Sequence, residues 1–297
     1  MTVDSGLPGR AALEDVCGAQ GLSTQNARLL HRRSNAVWLV EDVVVRLAPN
    51  TPLRRTRAAT SIGVTRWLET TATEPIALAP LPVDQPILTG DAVATLWPYR
   101  PTDYRPSTAD LARLVRRLHA QPAPLVPLPE YRPLHRLREA LDIDAARAAP
   151  ALDPDDRAWL RCRANDLVAR FEATHFPLGR GLVHADAHTE NVVRDGADWK
   201  LIDWDNACSG PRELDLAATL PDHFHTPAAD RTEFVTAYGY DPLEWPDWTV
   251  LRDIVELGSL GSYIRLAPTR PPAAHELRRR LASLRTGDRG VVWKPVG

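Results

Sequence analysis

Lysine is almost missing from this chain. Of the 36 basic side chains only Lys200 and Lys294 are lysines, which leaves 34 arginines and no lysine in the first 199 residues. Any cationic site in that part must therefore use arginine, a permanently charged fork of donors. Cysteine is scarce too. Cys17, Cys162 and Cys208 are an odd number with no Cys-x-x-Cys spacing, which argues against a disulfide or zinc framework and for a reducing, cytoplasmic setting. No apolar run approaches the ~18 residues of a membrane span, and the first 21 residues lack a basic start followed by an apolar segment, so no membrane partner is expected. Neither charge dominates: 36 basic against 38 acidic side chains give a net −2, which offers no bulk attraction to nucleic acid. Internal repeats and low-complexity tracts are absent. A length of 297 residues suits two units at ~150 residues each.

What is present changes character near residue 105. Before it, apolar runs at 36–40 and 43–47 flank the turn Glu41-Asp42, and runs at 85–88 and 92–97 flank Thr89-Gly90-Asp91; both read as hairpins. A helix over residues 52–69 separates the pairs. After it helices dominate. In residues 107–120, Leu111, Leu114, Val115 and Leu118 share one face and Ser107 can cap the start. Residues 121–133 carry five prolines and read as a surface connection that cannot be helical.

The chemistry concentrates in His184-Ala185-Asp186-Ala187-His188-Thr189-Glu190-Asn191, followed twelve residues after the Asn by Asp203 in Leu201-Ile202-Asp203-Trp204-Asp205. Phosphoryl transfer spreads charge over phosphoryl oxygens, so its catalysis is mostly positioning and electrostatics. One carboxylate must accept the proton of the attacking hydroxyl. A second carboxylate and an amide oxygen must hold Mg²⁺ against the nucleotide phosphates. Asp186, Asp203 and Asn191 have these chemistries. Val192-Val193-Arg194, the turn at residues 195–198 and Lys200-Leu201-Ile202 read as a hairpin that brings Asp203 back beside Asn191. Two other readings stand beside this one. On a strand, His184, Asp186 and His188 would point to one face as the transition-metal ligands of a hydrolase, although the segments after Lys200 would then have no purpose. Alternatively, Asp186 and Asp203 only cap and turn the backbone.

At these residues the chain resembles the aminoglycoside phosphotransferase-like kinases, whose usual pattern is His-Gly-Asp-x-His-x-x-Asn, then Leu-Ile-Asp-Trp, then Gly-Pro-x-x-x-Asp-Leu-Ala. All three motifs occur here in order, the last as Gly210-Pro211-Arg212-Glu213-Leu214-Asp215-Leu216-Ala217, with Ala185 in place of the first glycine. The resemblance implies an α+β, protein-kinase-like, two-lobed fold: an antiparallel β-rich lobe with one helix over residues 1–97, a hinge over 98–104 and a larger, mainly helical lobe over 105–297. It implies Asp186 as catalytic base, Asn191 and Asp203 as Mg²⁺ ligands, His188 as support for the loop and Asp215 as an anchor for its backbone. ATP or GTP would be the co-substrate. Its base would meet the hinge near Thr95, Trp97, Pro98 and Tyr99, where a plain strand end is the alternative.

Two departures bear on nucleotide binding. Arg46 stands where such folds usually hold a phosphate-gripping lysine, either replacing it or pairing with a surface carboxylate. The loop Arg32-Arg33-Ser34-Asn35-Ala36 has no glycine, so Ser34 and Asn35 would supply the phosphate donors. Helix 52–69 should also offer a glutamate to Arg46, yet Ala58, Ala59, Thr60 and Ser61 occupy the place. For the acceptor, residues 203–256 hold twelve acidic and three basic side chains, net −9, whereas residues 265–297 are net +6. Clustered carboxylates favour a cationic hydroxyl-bearing small molecule such as an aminoglycoside; the alternative is that Asp222, Asp230, Glu233, Asp241, Glu244 and Asp247 cap helices or face solvent. Phe224, Trp245, Trp248 and Tyr263 could stack on rings, but core packing is the better expectation. A metabolite kinase for a sugar, amino alcohol or choline-like compound is the runner-up, and a kinase-like binding protein without turnover is a third possibility.

Overall fold

The computed structural model describes residues 6–32, 34–101 and 103–295. Arg33 of the glycine-free loop and Thr102 of the expected hinge lie outside them. The chain forms two compact units, 1–129 with 181–209 and 130–180 with 210–297, and the first extends past the change of pattern at residue 105 to take in the motif-bearing segment.

In the first unit α1 (Arg10–Ala19) precedes a five-stranded sheet of β1 (Arg28–Arg32), β2 (Ala36–Val40), β3 (Val43–Pro49), β4 (Ile87–Thr89) and β5 (Ala92–Pro98), in the order β1-β2-β3-β5-β4 with antiparallel neighbours. Helix α1 buries Leu13, Val16 and Cys17 in one cluster with Val40, Val45, Leu47 and Leu96. Register matters here because side chains alternate between sheet faces. Arg46 lies opposite Thr95, and Ala48 opposite Val93, so those four side chains share a face. Helix α2 (Pro52–Thr71) begins with the Thr51 side chain accepting from Arg54 N at 3.3 Å and Pro52 in its first turn. Helix α3 (Thr108–His119) begins with a reciprocal box: Ser107 Oγ accepts from Asp110 N at 3.1 Å and Asp110 Oδ2 from Ser107 N at 2.9 Å.

The second unit is built on α4 (His135–Ala145), α5 (Pro154–Ala173), α6 (Ala228–Tyr238), α7 (Trp248–Leu266) and α8 (Pro271–Thr286). At Gly261 of α7 an added Cβ would stand 3.3 Å from Arg136 O and Leu137 Cα, so a side chain there would push α4 back by a few tenths of an ångström. After α5 the chain runs through β6 (Arg180–Val183), the β7 (Val192–Asp195) and β8 (Asp198–Leu201) hairpin, and β9 (Cys208–Pro211). None of the helices is long and apolar enough to cross a membrane, among the described residues.

Charge closes the end of the second unit. Arg280 is 1% exposed. Its guanidinium donates to Glu276 Oε1 at 3.1 Å, Ser259 Oγ at 3.2 Å, Tyr263 Oη at 2.8 Å and Lys294 O at 2.9 Å. Glu276 also accepts from Lys294 N at 2.8 Å and pairs with Arg279 at 2.5 Å. Burial alone would raise the pKa of Glu276; the Lys294 amide and the two arginines outweigh it and hold the carboxyl below its ordinary range. A depressed folded-state pKa contributes stability above the unfolded value of ~4.3 and loses it as pH falls through the folded value. Glu276→Gln is therefore expected to lower stability by about 2 kcal/mol at pH 7, with the difference shrinking below about pH 4. Urea unfolding at both pH values measures this; a deficit unchanged by pH would refute the electrostatic account.

Candidate functional site

The histidine at the head of the motif is structural. His184 is buried, donates Nε2–H to Ile202 O at 2.9 Å and sets its ring against Trp204, 4.7 Å between centroids and 61° between planes. Among the described residues no three His, Cys, Asp or Glu side chains gather to hold a metal ion, so the hydrolase reading finds no support in the geometry. Ala185 follows at φ +59°, a left-handed conformation that glycine adopts without cost. This turn lifts Asp186 to the surface.

Asp186 has a 46% exposed side chain, yet it is held. Asn206 Nδ2 donates to its Oδ2 at 3.2 Å, and His188 Nε2 lies 3.8 Å from its Oδ1. Asn191, 8% exposed, donates Nδ2 to Asp186 O at 3.0 Å and sits 3.0 Å from His188 Nε2. With both amide hydrogens engaged, His188 accepts on Nε2 and the Asn191 carbonyl oxygen is the group left to meet a cation. Ile202 N donates to Asn191 O at 2.9 Å, which closes the β7–β8 hairpin beside the loop and delivers Asp203 next to it.

Asp203 is also left-handed, φ +63° and ψ +56°, a conformation that aspartate tolerates better than most residues. Its carboxylate meets Arg46 of β3. The Arg46 Nη2 donates to Asp203 Oδ1 at 2.8 Å and to Asp205 Oδ2 at 2.9 Å, with the Arg46 side chain 13% exposed. Burial would lower the Arg46 pKa, but the Asp205 and Asp203 charges raise it instead. Burial would likewise raise the Asp203 pKa, and the Arg46 charge brings it below the ordinary carboxylate range. Both groups are therefore ionised at neutral pH.

The carboxylate partner of Arg46 is thus not on helix α2. Asp205, two residues beyond Asp203, takes that place. Its Oδ2 also accepts from Asn35 Nδ2 at 3.1 Å, while Asn35 Oδ1 accepts from Arg54 at 3.4 Å. Asn35 is buried and cross-links loop, helix and Asp205, whereas Ser34 of the same loop is exposed. Thr95 and Trp97 are both buried and joined by Trp97 Nε1–H to Thr95 Oγ1 at 2.9 Å. Thr95, Asn35, Arg46 and Asp205 line one pocket with Arg54 and Arg57 of α2. Asp205, Asn206, Arg54 and Arg57 were missed from sequence. The first two follow the Leu-Ile-Asp-Trp motif immediately, and that adjacency was the available signal.

In the second unit Asp215 is buried within the 3₁₀ helix Arg212–Thr219. Much of the acidic stretch is internally paired. Asp241 binds Arg231 at 2.9 Å and accepts from Leu243 N at 2.9 Å, Asp222 accepts from Phe224 N at 2.9 Å, and Asp253 bridges Arg163 at 2.9 Å and Arg252 at 2.7 Å. Glu233, Glu244 and Asp247 are exposed. Trp245 is core, packed on Phe176 at 5.3 Å, while Phe224 is exposed and stands edge-on to Trp293 at 6.0 Å.

Two consequences are measurable by urea unfolding. Arg46→Met strands two carboxylates without their counter-charge and is expected to cost about 3 kcal/mol, with Arg46→Lys intermediate because the shorter lysine keeps the charge but not the reach of the guanidinium; a Met variant as stable as the parent would remove the triad from its structural role. Ala185→Gly relieves a left-handed alanine and is expected to add about 1 kcal/mol. Loss of stability would mean that Ala185 packing outweighs its backbone strain.

A sequence model of the phosphotransferase enzyme family matches residues 27–254. No curated protein sequence matches the chain. Among solved structures, an amicoumacin kinase in complex with AMP-PNP, Ca²⁺ and Ami is similar at TM-score 0.74 and 12% identity, with 98% of this chain and 97% of that chain covered. A choline/ethanolamine kinase family protein from Mesorhizobium loti is similar at TM-score 0.66 and 19% identity, covering 93% and 92%. A spectinomycin phosphotransferase in complex with ADP and spectinomycin is similar at TM-score 0.61 and 13% identity, covering 94% and 90%. With the family matched over more than half its length and the sheet, helices and motif loop in the arrangement of these kinases, the chain belongs to the phosphotransferase enzyme family and has its α+β, protein-kinase-like fold.

Proposed function

We propose that this phosphotransferase moves the γ-phosphoryl group of ATP or GTP to a hydroxyl of a small molecule, and that the acceptor is an aminoglycoside-like or other cationic antibiotic. One observation carries the reading. An exposed carboxylate, Asp186, is anchored by hydrogen bonds to Asn191 and Asn206, and Asn191 is joined through Ile202 to the ionised Asp203. That is a surface base beside two oxygen donors.

In this reading Asp186 accepts the proton of the attacking hydroxyl, and the Asn206 contact fixes which carboxylate oxygen faces it. The Asn191 amide oxygen and the Asp203 carboxylate are hard oxygen donors that fit Mg²⁺. When bound, the ion would neutralise phosphate charge and orient the transferred group. Asn191 is pre-set for this because its NH₂ is spent on Asp186 O and His188. Arg46 and Ser34 steady the phosphates, Asn35 orders the loop that carries Ser34, and residues 98–104 after Thr95 and Trp97 form the nucleotide hinge. A cationic antibiotic as acceptor is supported by the acidic stretch and by neighbours solved with Ami, spectinomycin or kanamycin. Resistance would follow from such a reaction in the cytoplasm, the compartment favoured by the cysteine pattern.

The test is ADP and GDP release by the purified protein with Mg²⁺, with each nucleotide, across aminoglycosides, other hydroxylated antibiotics and small amino alcohols. Release that depends on one acceptor is expected, and Asp186→Asn should lower it by at least ~100-fold while nucleotide affinity stays nearly constant. A full rate in the Asn variant would remove Asp186 as the base. Release only with amino alcohols would move the assignment to metabolite phosphorylation, and silence with nucleotide bound would favour a binding protein.

A further inference from the structure

A carboxylate that the mechanism above does not use ties the segment after β5 to the β7–β8 hairpin. Asp195 is the last residue of β7, at the tip of that hairpin. Its Oδ1 accepts from Arg100 Nε at 2.5 Å, and its Oδ2 pairs with Lys200 Nζ at 2.6 Å. The Asp195 and Arg100 side chains are 22% and 31% exposed. Burial alone would raise the Asp195 pKa; the Lys200 and Arg100 contacts outweigh it and bring the carboxyl below its ordinary range, so Asp195 is ionised at neutral pH. Arg100 also donates Nη1 to Tyr99 O at 2.8 Å, and Tyr99 N donates to Asp42 O at 2.8 Å. The backbone that leaves β5 is thus pinned to the β2–β3 turn on one side and, through Arg100, to the hairpin on the other.

The opposite face of the hairpin makes a second, independent contact with the same segment. Val193 lies opposite Lys200 and Arg194 opposite Trp199, so by alternation Asp195 and Lys200 share one face and Arg194 and Trp199 the other. On that other face the Arg194 guanidinium lies 4.9 Å from the Tyr104 ring centroid and 5.7 Å from that of Trp199. Arg100 and Tyr104 therefore grip the hairpin from its two faces, which a lone surface ion pair worth ~0–1 kcal/mol would not do. The gripped element is also the one that carries the oxygen donors. Asn191 directly precedes β7, and Asp203 follows β8 by two residues. Strand β8 is held in turn by Leu201 N on Ile76 O at 2.7 Å and Leu78 N on Leu201 O at 3.0 Å.

We propose that Asp195 is a positioning residue: through Arg100 it holds the segment assigned to the nucleotide base at a set distance from Asn191 and Asp203. The proposal rests on the phosphotransferase reading above and goes beyond it, since Asp195 and Arg100 have no assigned contact with base, phosphate or metal. What they supply is pre-organisation. Without the tie, the nucleotide must order the segment as it binds, and that cost falls on the base end of the ligand rather than on its phosphates.

Isothermal titration of the full chain with ADP, GDP, adenosine, guanosine and pyrophosphate, all with Mg²⁺, tests this in the parent, Asp195→Asn, Arg100→Gln, their double variant and Lys200→Gln. Asp195→Asn and Arg100→Gln are each expected to weaken the preferred diphosphate and its nucleoside about tenfold, the worth of one charge-assisted hydrogen bond, with pyrophosphate changed by less than about twofold. The double variant should be no weaker than either single one, because both break the same tie. Lys200→Gln leaves Arg100 on Asp195 and should change nucleoside affinity by less than about twofold. Thermal melts report folding, and Arg100→Gln reads the same tie from the more exposed side should Asp195→Asn fail to fold. Nucleoside bound by the folded single variants as tightly as by the parent would overturn the positioning role and leave the nucleotide reading standing. An equal loss of pyrophosphate or an additive double variant would overturn it as well, since either describes a general loosening of the fold. So would a Lys200→Gln effect as large as that of Asp195→Asn, which would place the cause within the hairpin. A parent that binds no diphosphate or nucleoside would overturn the nucleotide reading and the positioning role together.

Discussion

The shared hydrogen bonds of Arg46 constrain everything around them. One nitrogen of a largely buried guanidinium serves Asp203 and Asp205 at 2.8 and 2.9 Å. Removing any one of these charges from water without the others would cost several kcal/mol, so strand β3 and the segment after β8 must come together as the unit folds. The same contact fixes where Asp203 can be. Its left-handed backbone is held from one side by Arg46 and from the other by the packing of Trp204 on His184. Asp203, the carboxylate that the proposed mechanism assigns to the metal, is thus flanked by a cation and by an aromatic pair.

Asp186 is arranged by the opposite logic. It stands on the surface, where an acceptor could reach it, and its position comes from neutral amide donors. Asn206 holds the carboxylate; Asn191 holds the backbone carbonyl. In the proposed mechanism, a base positioned by amides has no arginine or lysine competing with the incoming proton, as a salt bridge would. The site therefore separates its electrostatics: ion pairing around Asp203, hydrogen bonding around Asp186, and the Ile202–Asn191 backbone bond between them.

How much of this could be read from sequence follows from what each element buries. Strands β2 and β3, helix α3 and the β7–β8 hairpin were legible because each has one buried face, clear punctuation and short-range partners. Strand β1 was not, since four of its five residues are exposed and no alternation survives. Helix α1 has buried residues but neither a capping side chain nor an acidic first turn to announce it. In the site, Asp186, Asn191 and Asp203 stood out because their spacing is local. The partners of Arg46 lie 157 and 159 residues away, a separation at which spacing carries no information, and a glutamate on α2 is a feature of the resemblance rather than of this chain. The arginines of α2 were visible as residues, but only the β3–β5 register puts Arg46 and Thr95 on the face that α2 covers.

Charge counted along a sequence also differs from charge offered to a ligand. The net −9 of residues 203–256 already counts Arg231 on Asp241 and Arg252 on Asp253, and it is drawn down further from outside the stretch by Arg163 and Arg289 on Asp253 and by Arg289 on Glu256. Much of what composition presents as an attractive field for a polycation is instead the mortar of the helical unit, because an arginine-rich chain with few lysines pairs its carboxylates through multi-donor contacts. Selectivity for the cationic acceptor proposed above would then draw on exposed carboxylates such as Glu244 and Asp247. A small number of exposed charges steers weakly and is readily screened. Recognition by fit, with charge as a secondary filter, is the arrangement this distribution favours.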